Sequence, residues 1–421
     1  MTICHFPTWT SKNWYFFILD VLLNAFIITP LTITLWVSTW EFIFNLVEVA
    51  SHEEHVTTGF WIVLACGSTI TFATYLIQHP IRPCVSPENA SPAFLAIFLR
   101  AEMYLVFIAR MSVWVSFWYI IGDGKLNTGL ALTIGLIGLC CLRSLNCGVS
   151  MPMNLQLDCQ QKPCNQTTRF MIKPEDNDGT LKQKLLYIGD ALVTALVIEY
   201  LIIGLWRGAF NIFNFYLLPA NPELSAWITV IIGYNMFWIL VILQFPASKI
   251  SKQLSSSSSS SSSRWMQILW EQAFWLYAFI MMVCLWRGVW NVITVYSGLK
   301  TVREPYNFVL SLVMHIVTML ITLGLNVFIN ARIPSYMAAD GTIPDGRGVL
   351  VKNYLKNVSN MMAAYVSEEE GERTTLLNAK KAEESKEVKK IPDNLDTTTT
   401  TPENTQDSKV TEVAKKKESS E

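Results

Sequence analysis

The amino-acid sequence predicts an all-α fold: a polytopic transmembrane helix bundle of eight spans, built from four helical-hairpin repeats. Three observations lead there. The 421 residues are 51% hydrophobic and 15% charged with a mean hydropathy of +0.33, too apolar for a water-soluble chain of this length. Eight apolar runs approach the roughly 20 residues that a helix needs to cross about 30 Å of hydrocarbon. A tryptophan motif recurs in step with the odd-numbered runs.

Residues 1–13 read as a cytosolic N-terminus, and the membrane domain as 14–332. Its spans are expected at 14–36, 59–78, 103–121, 128–145, 185–205, 225–245, 267–285 and 307–330. Lipid offers the backbone no hydrogen-bond partners and the runs lack the alternation of barrel strands, so each is expected to be a helix. The first run lacks a small-residue cleavage site and reads as a span rather than a removed signal peptide. A cytosolic loop occupies 146–184, and a Ser-rich linker at 251–263, with nine consecutive serines, reads as a flexible tether between spans six and seven. Residues 333–421 alternate Glu, Lys, Thr and Ser with few large apolar side chains, the composition of a disordered cytosolic tail.

Basic residues set the expected orientation. With the N-terminus inside, thirteen Lys and Arg of short connections fall on the cytosolic side, Lys12, Lys162, Lys173, Arg332 and Arg347 among them, against five on the other. The first outer loop agrees, reading as acidic through Glu41, Glu48, Glu53 and Glu54. The sequons at Asn89, Asn165 and Asn357 all fall on the cytosolic side, where they would not be glycosylated. Trp and Tyr near the run ends suggest interfacial belts. The nine Cys are scattered, Cys159 and Cys164 forming the one short-spaced loop pair, which indicates reduced thiols rather than a disulfide framework or metal site.

The repeat is the most specific signal. Run five leads into Trp206-Arg207-Gly208-Ala209-Phe210-Asn211 and run seven into Trp286-Arg287-Gly288-Val289-Trp290-Asn291. Weaker copies follow run one, with Trp36 and Trp40, and run three, with Trp114 and Trp118. Aromatics four apart share a helix face, and Gly208 and Gly288 permit close backbone approach. Copies separated by two spans return to the same side, so the four motifs are expected at the outer leaflet as interfacial anchors. Arg207 and Arg287 read as snorkelling side chains, with an anionic ligand or headgroup as the competing role. In the even runs Gly67 precedes Gln78, and Gly233 precedes Gln244, by the same eleven residues.

Asp20, Asn24, Glu102, Arg110, Asp190, Glu199, Glu271 and His315 lie in or beside the runs, where an unpaired charge is costly. Asp20 and Asp190 each stand sixteen residues before their repeat's tryptophan, and Asp20–Asn24 and Asp190–Thr194 share the i,i+4 geometry. Asp190 and Glu199, nine apart, should point to opposite faces of an α-helix. Acids at matching places in two halves suit a cation-coupled transporter, but positions near the cytosolic ends favour a structural role, and a lone His315 reads as a satisfied core side chain. No span shows a Gly/Pro interruption beyond Pro30. Hydrolase, metalloprotease and nucleotide-binding motifs and a basic stripe for nucleic acid are all missing, so neither enzyme chemistry nor a cofactor is expected. In the tail, Glu372-Arg373-Thr374-Thr375-Leu376-Leu377 has the form of an acidic dileucine signal for a clathrin adaptor.

Through the W-R-G-x-[WF]-N copies, the span count and the short outer loops, residues 14–332 resemble the Fuseless family of animal membrane proteins. The resemblance implies eight spans, a plasma-membrane location at presynaptic terminals, and a role in synapse development and neurotransmitter release, through presynaptic scaffolds and calcium channels. It supplies no catalytic residues. Spans one and three lack the W-R-G triplet, so a role for the arginine applies only to Arg207 and Arg287. A secondary transporter of a small solute in plasma or endolysosomal membrane is the alternative.

Overall fold

The computed structural model describes residues 11–331 other than 52–54, 87, 123, 150–151, 153–157, 159–163, 165, 171, 173–179, 257–260 and 299–304. Among these residues every regular element is helical. Helix α1 runs as Ser11–Leu23, a π-helical turn Asn24–Ile28, and Thr29–Ala50. It is followed by α2 (Val56–Ile81), α3 (Pro92–Ile121) and α4 (Lys125–Cys141). Helix α5 repeats the first pattern, as Leu181–Leu192, π-helical Val193–Ile198 and Glu199–Tyr216, before α6 (Pro222–Ser256), α7 (Ser261–Ser297) and α8 (Pro305–Gly324). Local chemistry sets the ends. The Ser91 hydroxyl accepts from the Phe94 amide ahead of Pro92, a capping box of Thr180 and Gln183 opens α5, and Gly122 at φ +75° closes α3.

Seven of these helices are long and apolar enough to cross a membrane. The eighth, α4, has 17 residues, about 25 Å at 1.5 Å per residue, close to the hydrocarbon thickness but shorter than the rest.

The odd-numbered helices form the inside of the bundle. Each even helix packs most extensively on the odd helix that follows it, α2 on α3, α4 on α5, α6 on α7, and α8 packs back on α1. Glycine makes three of these crossings close. A Cβ on Gly67 would lie 2.8 Å from the Ala109 carbonyl, one on Gly135 2.7 Å from the Leu205 nitrogen, and one on Gly233 2.7 Å from the Leu285 nitrogen. Without a hydrophobic force between helices in lipid, such small-residue contacts supply much of the association through dispersion.

Several sequence expectations change here. The runs ending at Trp36, Leu205 and Leu285 stop too early, since α1, α5 and α7 continue to Ala50, Tyr216 and Ser297. Charge at Glu41, Arg207 and Arg287 imitates a span end, yet all three side chains are buried in the bundle. Glu41 and Glu48 therefore belong to α1 rather than to an outer loop, while Glu53 and Glu54 lie outside the described residues. Helices α6 and α7 extend into the serine run from both sides, to Ser256 and from Ser261, which shortens the expected tether. Residues 1–10 and 332–421, with Arg332, Arg347, Asn357, Glu372, Leu376 and Leu377, lie outside the description, as do Cys159, Lys162, Asn165 and Lys173.

Candidate functional site

The repeated tryptophans meet on the bundle axis. Trp36, Trp114, Trp206 and Trp286 form a closed ring of edge-to-face contacts, with centroids 5.1 Å (36–114), 6.2 Å (114–206), 5.7 Å (206–286) and 5.5 Å (286–36) apart. One turn along, Trp40, Trp118, Phe210 and Trp290 close a second ring at 5.4, 5.6, 6.5 and 5.5 Å, again edge to face. The i,i+4 spacing places both members of each copy on one face, and all four helices turn that face inward. Edge-to-face pairs set the positive rim of one ring against the negative face of the next and contribute about 0.5–1.5 kcal/mol each beyond burial. The first-ring tryptophans are all below 5% exposed, so they are core residues and not interfacial anchors. Other aromatics, among them Trp61, Trp227, Trp265, Tyr216 and Tyr306, occupy the exposed positions.

The arginines of the motif do not snorkel. Arg207 donates to the Gly122 carbonyl at 2.6 Å and lies 5.2 Å from the Trp118 ring centroid. Arg287 donates to Asn214 Oδ1 (2.9 Å), Ser225 Oγ (3.0 Å), the Ser225 carbonyl and Thr229 Oγ1. Each guanidinium thus donates to protein oxygens at neighbouring helix ends. Gly208 and Gly288 let α4 and α6 approach, since a Cβ would meet Leu132 Cα at 2.7 Å and the Val230 nitrogen at 2.6 Å.

A model of the Fuseless family matches residues 15–330, a stretch that holds all four aromatic copies. The chain belongs to the Fuseless family. No curated protein and no solved structure matches it.

At the other end of the inner helices this Fuseless chain builds a polar mouth. Asp190 accepts from Thr168 Oγ1 (2.5 Å), the amides of Phe170 (3.1 Å) and Ile172 (3.2 Å), and Thr194 Oγ1 (3.3 Å). Gln78 accepts from the Gln166 amide and donates to its carbonyl and to Tyr187, Arg82 donates to the Cys164 carbonyl, and Glu102 accepts from the Cys164 amide. Arg169 reaches Ser144 Oγ and the Arg143 carbonyl. Described parts of the 146–184 loop are therefore sewn into the helices by charge-assisted bonds rather than lying free over them. Burial beside Glu102 pushes the Cys164 thiol up to about 11 against the opposing pull of Arg82.

Residues 20–36 and 190–206 share several of these features. Each π turn ends eight residues before its tryptophan, at Ile28 and Ile198, and the buried Asp20 and Asp190 precede them. Asn24 donates to the Pro152 carbonyl rather than to Asp20, and Thr194 accepts from the Arg169 amide. Trp36 donates its indole N–H to the Ala331 carbonyl and Trp206 to that of Gly148, each acceptor in a 3-10 turn, Phe328–Ala331 and Leu145–Gly148. A left-handed residue leads into each turn, Asn326 and Arg143. Asp158 caps the Phe328–Ala331 turn, accepting from the Phe328 and Ile329 amides.

The remaining candidates scatter. Glu199 is fully buried, and the π turn resets the helical phase between it and Asp190, so both face inward despite their nine-residue spacing. Neither Glu199 oxygen has a hydrogen-bond partner among the described residues, although Arg110, which donates to Tyr75, acts on it electrostatically. Glu271 pairs with the exposed Arg143 at 3.3 Å and accepts from Gln267. His315 sits between Thr39 Oγ1 (2.8 Å) and Tyr104 OH (3.1 Å), stacked on Phe42, a satisfied core histidine. Gln166, Thr168, Arg169 and Asp158 carried no sequence signal, because an irregular loop has no periodicity from which to read its partners.

Proposed function

We propose that this chain is an eight-span, non-enzymatic protein of the presynaptic plasma membrane that organises release machinery, its calcium channels included, and in doing so regulates synapse development and neurotransmitter release. Membership of the Fuseless family and an all-helical, membrane-like bundle support the broad reading. The observation that carries the finer one is the double aromatic ring. Eight side chains with neighbours 5.1–6.5 Å apart close around the axis along which a solute would have to pass, leaving a cavity of only about 130 Å³. Asp190, the acid best suited to ion coupling, is committed to four donors. A rigid, plugged bundle suits a scaffold that presents its surfaces and tail to partners.

The same reading takes α4 as a span and α1–α2, α3–α4, α5–α6 and α7–α8 as copies of one hairpin. Support comes from the fourfold aromatic set, the three matched glycine crossings and the paired π turns. Both termini are then cytosolic, where the tail's dileucine motif is available to a clathrin adaptor for endosomal cycling. Transport keeps one supporting feature, the buried and unbonded Glu199 carboxyl near Arg110.

A tagged chain expressed in neurons lacking the endogenous copy tests the proposal. The expected result is presynaptic enrichment with restored calcium-channel clustering, and clustering that survives Glu199→Gln. Broad endolysosomal staining, or solute uptake into proteoliposomes that Glu199→Gln abolishes, would favour transport instead.

A further inference from the structure

A cavity of about 130 Å³ is lined by Trp36, Trp40, Trp114, Trp118, Trp206, Phe210, Trp286 and Trp290. The first ring is buried and the second half-buried, so access is from the second-ring side. We propose that this cavity is a binding site for a compact, neutral, apolar molecule of about the size of benzene.

Volume and lining both point there. An apolar cavity of about 150 Å³ in another protein stays dry and takes benzene or xenon, because a bound water needs two to four polar partners. Here the walls are aromatic rings, and the indole N–H groups of Trp36 and Trp206 are given to the Ala331 and Gly148 carbonyls. The buried Trp114 N–H, without a hydrogen-bond partner among the described residues, is by itself fewer than the partners a water needs.

An aromatic box also suggests a quaternary ammonium, which two features oppose. In an edge-to-face pair the positive rim of one ring meets the face of the other, which weakens that face's pull on a cation. No carboxylate lines the cavity to neutralise a cation, and the buried Arg207 and Arg287 lie next in sequence to Trp206 and Trp286. Arg207 already occupies the Trp118 ring at 5.2 Å.

Phe210 is the one wall residue that is not tryptophan, and it offers a filling variant. The experiment is thermal unfolding of the detergent-solubilised full chain by far-UV circular dichroism, with benzene, xenon or size-matched tetramethylammonium. Benzene and xenon should raise Tm saturably by at least about 2 °C, tetramethylammonium should not, and Phe210→Trp should abolish the benzene shift. If Phe210→Trp does not fold, Trp290→Phe gives the reciprocal test: the enlarged cavity should extend stabilisation to indole, which leaves the native chain unshifted. The proposal is overturned by no shift with benzene or xenon, by a benzene shift undiminished in Phe210→Trp, by a larger shift with tetramethylammonium, or by indole acting equally on native chain and Trp290→Phe.

Discussion

The aromatic core and the polar mouth hold the bundle together in different ways. In the core, each helix contributes the same two positions, and contacts repeat around the axis at nearly equal spacing. In the mouth, Asp190 holds Thr168, Phe170 and Ile172, Gln78 holds Gln166, and Arg82 and Glu102 both hold Cys164, all in one loop that occurs once in the chain. A recurring aromatic motif can build a near-symmetric plug largely by dispersion and burial. Closing the end of the bundle requires a segment outside the repeat, fixed by directional hydrogen bonds that must all be satisfied.

The largest test of this contrast is Trp36→Ala. It removes a buried indole, two ring contacts and the bond to Ala331, and should cost about 3–5 kcal/mol, read as a fall in Tm. Loss of less than about 1 kcal/mol would mean that the ring is not a core. Asp190→Asn comes next. An amide cannot accept from the same four donors, and a cost of about 2–3 kcal/mol is expected, with protease cleavage confined to 150–179 appearing before global unfolding. Cleavage spread evenly over the chain would separate Asp190 from the loop.

Smaller effects sharpen the packing side. Gly233→Ala drives a Cβ to 2.7 Å from the Leu285 nitrogen and should cost about 1–3 kcal/mol, whereas Gly129→Ala meets nothing within 4 Å and should be neutral or slightly stabilising. Equal melting of the two variants would remove glycine from the account of the α6–α7 crossing. The mildest perturbation is chemical. With its thiol pushed from 9.0 to about 11, folded Cys164 holds about a hundredfold less thiolate at pH 8 than an ordinary cysteine. Its alkylation, followed by peptide mass mapping, should rise about tenfold per pH unit up to about pH 11, and approach the ordinary rate in Asp190→Asn. Ordinary labelling of the native chain at pH 8 would show that the loop is not held.

Much of this arrangement was legible in the sequence, for physical reasons specific to each region. The helices were visible because lipid demands long apolar runs, and the ring residues because i,i+4 aromatics recurred four times. Their location was misread, since Arg207, Arg287 and Glu41 carry charge that sequence assigns to an interface, while one serine, one threonine, one asparagine and backbone carbonyls accept from the arginines inside the bundle. Pro30 hinted at an irregular first helix, its missing N–H falling at the end of the π turn, but the matching turn at Val193–Ile198 has no proline to announce it. The loop contacts had no periodic signature at all. The packing was not visible: each even helix joins the odd helix after it, and α8 joins α1, which follows from glycine placement at three of the crossings rather than from chain order.

The central claim is that the repeated tryptophans bind one another across helices rather than face lipid. A double-mutant cycle on Trp36→Phe and Trp114→Phe, from reversible unfolding in detergent, tests it most directly. The 5.1 Å edge-to-face pair predicts a coupling of about 0.5–1.5 kcal/mol between α1 and α3. Additivity of the two substitutions, within about 0.3 kcal/mol, would contradict the ring.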